Sequence, residues 1–529
     1  MARLPVLSPP DRPNSNRPNS GRPSSARPNI VLVMFDQMAA LSLPAYGHRI
    51  VKTPHLDRLA ARGTVFDQAY CAAPLCSPAR FALMSGQLPS RIGAFDNAAE
   101  FPSAVPTLPH YLRSAGYRTC LSGKMDFTGA DQLHGYEERL TTDLSPSDFG
   151  WVPDWDQPEQ VQSWYHTLHS PAEAGPCDYS LSMQYDEDAL FKAEQWLHQT
   201  AGSQDGRPFM LTLSVMHPHD PYQAPRRFWD LYEGVDIDPP AIPNLPLAER
   251  DPMGQRMYQL YDRGEIPLST EQVLRARRAY YGMLSYCDDL LGRLLARLDL
   301  LGLTDNTVVV VTSDHGDMLG ERGLWYKMVF FDRAIRVPLI VAGPGIRGGK
   351  RIAAPVSHLD LLPTLAGIAQ GGATFVPVSP VDGRDLRSAL SFGSEPQGEV
   401  RAEYMGEGYQ APVIMSRRDG RKFIYARDLG PILYDLQKDP LELSNLAASE
   451  SEAAAIWKRE IEATYDLEAL RTAVIDSQRR RRFIHQALTQ GAVAAWDYEP
   501  RSDAAMQYYR NWGAELPDPD RALRWPPKA

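Results

Sequence analysis

A chain of 529 residues is long enough for one large domain with a smaller one beside it. Its apolar fraction of 43%, charged fraction of 23% and net charge of −10 are ordinary for a globular protein and argue against a nucleic-acid binder. It has no run of about 18 apolar residues, so no membrane span is expected. Five scattered cysteines (71, 76, 120, 177 and 287) lack metal-finger spacing and suit a reducing compartment better than a disulfide scaffold.

In chain order, residues 1–28 come first. The stretch "PPDRPNSNRPNSGRPSSARPN" is rich in Pro, Arg, Ser and Asn, and predicts a disordered tail. It has no apolar h-region, so it is not read as a secretory signal, and a cytoplasmic protein is expected. A docking or targeting tail is the alternative. Order is predicted from Asn29, where "NIVLVMFDQ" reads as a strand buried on both faces. Further along, "LCSPARF" (75–81) places Ser77 and Pro78 at a predicted helix start. "ARFALMSG" then reads as a short helix closed by Gly86. Amphipathic helices are predicted at 186–200 and 270–298, and buried strands at 209–215, 307–313 and 338–343. This alternation predicts an α/β fold with a mainly parallel central sheet flanked by helices. Short strand-like pieces from about 400 to 446 predict a small antiparallel sheet. Residues 449–490 have a helical pattern and contain "RRRR" (479–482), read as a solvated or inter-subunit face. The expected division is a tail at 1–28, a catalytic domain at 29–395 and a C-terminal subdomain at 396–529.

In open α/β sheets, sites form beyond the carboxyl ends of the strands. The first strand delivers Asp36 and Gln37, the second His217 and His219, the third Asp314 and His315. A single acid after a strand reads as a cap or turn; three such strand ends suggest a site. Oxygen ligands with one imidazole suit Ca²⁺, Mg²⁺ or Mn²⁺. Cys76 is placed at a helix N-terminus, with Arg80 one turn on. By itself it reads as a buried small side chain or as a low-pKa thiolate. Neither reading explains Pro78 and Arg80 together.

C-x-P-x-R followed by a short helix and Gly resembles the signature of the type I formylglycine sulfatases of the alkaline-phosphatase superfamily. The resemblance is closest to the choline-sulfatase branch, and five stretches carry it: "PLCSPARFALMSGQLPSRIGAFDNAAE", "DQLHGYEERLTTDLSPSDFGW", "HPHDPYQAPRRFWDLYE", "SDHGDMLGERGLWYKM" and "LYDLQKDPLELSNLA". It implies an alkaline-phosphatase/sulfatase-like fold and metal-dependent hydrolysis of a small sulfate ester, choline sulfate or a related alkyl sulfate. The implied nucleophile is formylglycine, made from Cys76 by a maturation enzyme, and the implied route passes through a covalent sulfo-enzyme. The implied metal ligands are Asp36, Gln37, Asp314, His315 and the modified Cys76, with Ca²⁺ preferred over Mn²⁺ or Mg²⁺. Arg80 would orient the formylglycine, Lys124 and Lys327 would neutralise the sulfate oxygens, and His219 would be the general acid.

For the substrate, the resemblance implies a cation–π contact from Trp151, with Asn97 and His166 in the same pocket. The residue after that histidine is normally Asn in the branch; here it is Thr167. The branch reads G-K-x-H where this chain has Gly123-Lys124-Met125-Asp126. Asp126 is therefore expected to face the site and slow turnover. The branch also sends a C-terminal tail into a neighbouring subunit, implying a homo-oligomer, a dimer or tetramer. The lead-in "YYRN" (508–511) is present, and Glu515 or Asp518 would be the tail's acid. Two other readings stay open: a phosphodiesterase or phosphonate monoester hydrolase of the same superfamily, and an inactive relative kept as a binding protein.

Overall fold

The computed structural model describes residues 27–144, 148–262 and 267–491. Residues 1–26 of the predicted tail, the 508–511 lead-in, Glu515 and Asp518 lie outside the described residues. Among the described residues, no helix is long and apolar enough to cross a membrane.

The centre is an eight-stranded sheet. Asn29–Phe35 lies in its middle, with Thr307–Ser313 and Phe209–Val215 parallel on either side. All residues of these three strands are buried, as expected where helices cover both faces. The long helices run Leu181–Gly202 and Thr270–Leu300. Both start at a serine cap: Ser180 accepts from Met183 N, and Ser269 forms a capping box with Gln272. The first cap moves that helix start ahead of the predicted 186.

Two features differ from the sequence reading. Arg118–Gly123, "RTCLSG", is a strand parallel to Phe209–Val215 and leads directly into Lys124. Leu339–Ala342 is a strand as expected, but it runs antiparallel to Thr307–Ser313. The segment between them crosses the carboxyl end of the sheet as a loop and enters the next strand from that end, so the strand runs back.

The expected C-terminal sheet has four antiparallel strands, Val400–Tyr404, Val413–Arg418, Arg421–Ala426 and Gly430–Asp435. Alternation decides what each face covers. Val413, Met415, Ile424, Ile432 and Tyr434 join the main core. Ile414, Phe423, Tyr425 and Leu433 pack under Trp457 and Ile461 of the helix Ser451–Thr464. The arginine run sits on the last described helix, Leu467–Leu488. Arg479, Arg481 and Arg482 pair with aspartates of the same chain; Arg479 and Arg480 are exposed, as a solvated face requires, but Arg481 is buried.

Candidate active site

Three strand ends and one helix start meet at a buried cluster. Asp36 and Gln37 follow the central strand. Gln37 is left-handed, at φ 67°, an uncommon conformation for a side-chain-bearing residue. Its backbone is pinned: Gln37 N donates to Asp314 Oδ1 at 3.0 Å, and Tyr280 OH donates to its carbonyl at 2.6 Å. Asp314 and His315 follow Thr307–Ser313. Cys76 opens the helix Cys76–Ser85, whose ten residues are all buried and which ends at Gly86 (φ 65°), as expected. Cys76 Sγ is 3.2 Å from His315 Nε2 and 4.0 Å from Asp36 Oδ1. His315 Nε2 is 3.8 Å from Asp36 Oδ1 and 3.7 Å from Asp314 Oδ2. Ligand atoms of Asp36, Cys76, Asp314 and His315 all lie within 4.8 Å of one another.

This donor set fits a divalent cation. His315 Nδ1 donates to Gly316 O at 3.0 Å, which leaves Nε2 bare and aimed at the carboxylates. Burial pushes the imidazole down to about 4, with Asp314 opposing, so Nε2 offers a lone pair at neutral pH. A lone pair beside two carboxylates is repulsive unless a cation sits between them. Burial, reinforced by Asp36, pushes the Cys76 thiol up to about 12, the reverse of a low-pKa thiolate.

Cations hold the outer side of the cluster. Arg80 Nε donates to Asp314 Oδ2 at 2.9 Å and Nη2 to Asp36 Oδ2 at 3.1 Å. Its Nη1 reaches Lys124 O at 2.7 Å and Ser214 Oγ at 2.9 Å. Lys124 Nζ donates to Asp36 Oδ2 at 2.6 Å. Burial would raise the Asp36 carboxyl, but the neighbouring cations, Lys124 first and Arg80 with it, hold it well below the usual carboxylate range. Asp126, left-handed at φ 58°, lies at this rim. Its Oδ2 is 3.5 Å from Lys124 Nζ and 3.8 Å from Arg80 Nε, and burial raises its carboxyl despite both cations.

Lys327 and His219 form the opposite wall. Lys327 Nζ donates to His219 Nε2 and to Gln37 Oε1, both at 2.8 Å. His219 Nδ1 donates to Asp220 O at 2.6 Å. Burial, with Lys327 next in weight, holds the His219 imidazole well below its ordinary value and thus neutral. His217 faces elsewhere, with Nδ1 2.7 Å from Asp186 Oδ2. Lys327 sits between two left-handed residues, Tyr326 and Met328, both at φ 63°. Asp317 pins this loop: Oδ1 accepts from Leu319 N and Tyr326 N, and Oδ2 from Gln37 Nε2 and Tyr222 OH.

Of the expected pocket residues, Asn97, His166 and Thr167 contact this centre or the residues beside it. Asn97 Oδ1 accepts from Ser77 N at 3.1 Å, beside Cys76. His166 Nε2 lies 3.8 Å from Asp220 Oδ1, and its ring is 4.4 Å from that of Tyr326. The Thr167 carbonyl accepts from Tyr326 OH at 2.5 Å, and its hydroxyl oxygen from His169 N at 3.3 Å. Trp151, half-buried, stacks on Trp164 at 6.3 Å, and Trp164 in turn packs edge-on against Tyr165. Sequence reasoning missed Asp317, Ser214 and Glu407. Asp317 was visible inside "SDHGD", but its role depends on the loop it pins. Glu407 is a buried carboxyl that burial pushes up to about 7, with Lys327 acting against the shift. Nothing in "MGEGY" signals that burial.

Comparison with known proteins agrees with this geometry. The Sulfatase family model matches residues 28–372, and a model described as "Choline sulfatase enzyme C terminal" matches 472–525. A protein of Rhizobium meliloti (strain 1021) named Choline-sulfatase is 44% identical over 493 residues, 91% of this chain and 96% of that one. Human Arylsulfatase K is 27% identical over 87% of this chain and 84% of its own. Among solved structures, the phosphonate monoester hydrolase of Agrobacterium radiobacter superposes with a TM-score of 0.65 at 25% identity, covering 84% of this chain and 96% of that one. The sheet with its flanking helices is thus the alkaline-phosphatase/sulfatase-like fold. A family match over most of the chain, meeting a buried Asp–Cys–Asp–His cluster where a hydrolytic centre is needed, shows that this chain belongs to the sulfatase family and is a sulfuric ester hydrolase.

Proposed function

We propose that the protein hydrolyses choline sulfate, or a closely related small alkyl sulfate, through formylglycine made from Cys76 and with one divalent cation. The observation that carries this reading is the buried meeting of Asp36, Cys76, Asp314 and His315 under Arg80, Lys124 and Lys327. The relative named Choline-sulfatase and the C-terminal match support the choice of substrate. Asp36, Asp314, His315 and the Gln37 amide oxygen, with the modified residue 76, would hold the cation; we propose Ca²⁺, and a set of oxygen donors with one imidazole also suits Mn²⁺ or Mg²⁺. A cation held there would lower the pKa of a formylglycine hydroxyl at position 76 and so supply an activated oxygen nucleophile.

The remaining steps belong to the chain's own side chains. Arg80 fixes the start of the nucleophile's helix to both carboxylates. Lys124 and Lys327 face the ester's sulfate oxygens and offset the charge that gathers there in the transition state. Lys327 donates to His219 Nε2, so this ammonium–imidazole pair carries one proton on the leaving-group side, and His219 delivers it to the departing alkoxide. The quaternary ammonium of choline lies against Trp151, with Asn97, His166 and Thr167 around it. We also propose the division into a 29–395 catalytic unit and a 396–529 C-terminal unit, a formylglycine-generating maturation partner, a cytoplasmic location and a homo-oligomer.

The test of the substrate is Trp151→Ala, assayed on choline sulfate and on neutral p-nitrophenyl sulfate. KM for choline sulfate is expected to rise by about 1–2 kcal/mol in binding terms, roughly 5- to 30-fold, with little change on the aryl ester. Equal losses on both substrates would make Trp151 structural and remove the cation pocket.

Asp126 carries a separate expectation. A carboxyl at Lys124 and Arg80 competes with the ester for the same cations, and, where ionised, opposes the arriving anion. Asp126→His is expected to raise kcat on sulfate esters several-fold. If the substitution destroys sulfate hydrolysis while p-nitrophenyl phosphodiester hydrolysis proves to be the better wild-type activity, the phosphonate monoester hydrolase reading replaces this one.

A further inference from the structure

The arginine run at 479–482 ties together two loops that come from distant parts of the chain. Arg481 forms a two-pronged pair with Asp96, Nη1 to Oδ1 at 2.6 Å and Nη2 to Oδ2 at 2.8 Å, and both side chains are buried. Its Nε is held by Ser477 Oγ at 3.1 Å. Arg479 forks onto Asp156 at 2.7 and 3.0 Å. Arg482 donates to Pro153 O at 2.9 Å and lies 3.0 Å from Asp154 Oδ1. Just before these arginines, fully buried Gln478 accepts from Trp155 N at 2.9 Å. The apolar side of the same helix joins both loops as well: Val474 and Ile475 form one cluster with Phe95 and Trp155. One turn on, His485 Cε1 lies 3.5 Å from where a Cβ on Gly150 would stand.

Each loop carries a residue of the pocket proposed above. Asp96 precedes Asn97, whose side-chain oxygen accepts from Ser77 N and whose carbonyl accepts from Ser77 Oγ, one residue from Cys76. The other loop holds Trp151 at the end of the short turn Phe149–Trp151. An arginine fork on a carboxylate fixes angle as well as distance, which a single lysine contact does not. Recognition of a cation over an aromatic face depends on such placement.

We propose that the helix Leu467–Leu488 is a positioning element for substrate recognition. Arg481 fixes the Asn97 loop, Arg479 and Arg482 fix the Trp151 loop, and the helix sets the two loops against each other. None of the three arginines needs to touch the ester. This inference rests on Trp151 and Asn97 lining the pocket. It makes the C-terminal region part of the specificity apparatus of each subunit by itself.

The test uses the full-length, matured enzyme. Arg479→Ala combined with Arg482→Ala removes partly exposed partners and should leave the fold intact. KM for choline sulfate is expected to rise about 5- to 20-fold, with kcat within about 2-fold and kcat/KM for p-nitrophenyl sulfate within about 2-fold. Amide exchange in 149–156 should quicken by about 5-fold or more while the central strands stay protected. Arg481→Lys, which keeps the charge and loses the fork, should quicken exchange in 93–99. Equal losses on both esters, or unchanged exchange in both loops, overturns the proposal. Trp151→Ala separates the two readings. If it discriminates between the esters and the arginine variants do not, positioning fails and the pocket stands. If it does not discriminate, the pocket fails and positioning for recognition fails with it.

Discussion

Cys76→Ala is expected to abolish multiple turnover on every sulfate ester. The side chain sits where the two carboxylates, the bare His315 Nε2 and the cationic wall converge, so no neighbouring oxygen can take over the attack. Loss of a covalent nucleophile should cost roughly 10⁴-fold or more in kcat, about 5.4 kcal/mol of transition-state stabilisation. Folding should be little affected, because the contacts of the thiol are with the metal-holding cluster and not with the core. In active protein the Cys76 peptide should be about 18 Da lighter than its thiol form. Cys76→Ser separates attack from release. Its hydroxyl stands in the same place but traps the sulfate as a stable ester, so one equivalent of alcohol should appear and turnover should then stop. Undiminished turnover by protein whose Cys76 peptide retains the thiol mass would sink the mechanism.

The parts of this centre differ in how legible they were. Strands Asn29–Phe35, Phe209–Val215 and Thr307–Ser313 announce themselves because both faces are buried, and the groups that follow them had to lie at one end of the sheet. The helix at Cys76 was legible from Pro78 and Gly86, local signals that the left-handed Gly86 bears out. Arg118–Gly123 was not legible. It has only two apolar side chains, and its burial comes from its neighbour Phe209–Val215, so Lys124 was placed by resemblance alone. The Gln37–Asp317–Tyr326 hydrogen bonds depend on two left-handed residues that no propensity favours. The arginine run was legible only in part: Arg479 and Arg480 are exposed, but Arg481 is buried on Asp96. Charge patterning sees neighbours along the chain, but Asp156 is 323 residues from Arg479 and Asp96 is 385 from Arg481. Tertiary partners, not local sequence, decide whether a charged run is solvated.

Arg80→Met is expected to destabilise the protein more than any other substitution at the site that keeps side-chain volume. Arg80 is fully buried and donates to Asp36, Asp314, the Lys124 carbonyl and Ser214 Oγ. Methionine fills much of the space but leaves Asp314 without its guanidinium and Asp36 with Lys124 as its remaining contact cation. Breaking a buried pair by removing one partner costs about 3–5 kcal/mol. In a domain of this size that lowers Tm by roughly 4–7 °C. The acid limb gives a second readout. The Asp36 carboxyl is held well below its unfolded value, so its contribution is present above the unfolded pKa and is lost as pH falls through the folded one. Without Arg80 the folded pKa rises, and acid unfolding should begin at a higher pH than in the wild type. A divalent cation between the carboxylates replaces part of the missing charge, so the Tm deficit should be largest after chelation and smaller in Ca²⁺. Arg80→Lys should recover part of the stability and little of the activity, because one ammonium cannot hold both carboxylates and align the Cys76 helix. An Arg80→Met protein with an unshifted Tm and an unshifted acid limb would mean that the carboxylates are balanced by the metal alone, and that Arg80 serves only to shape the site.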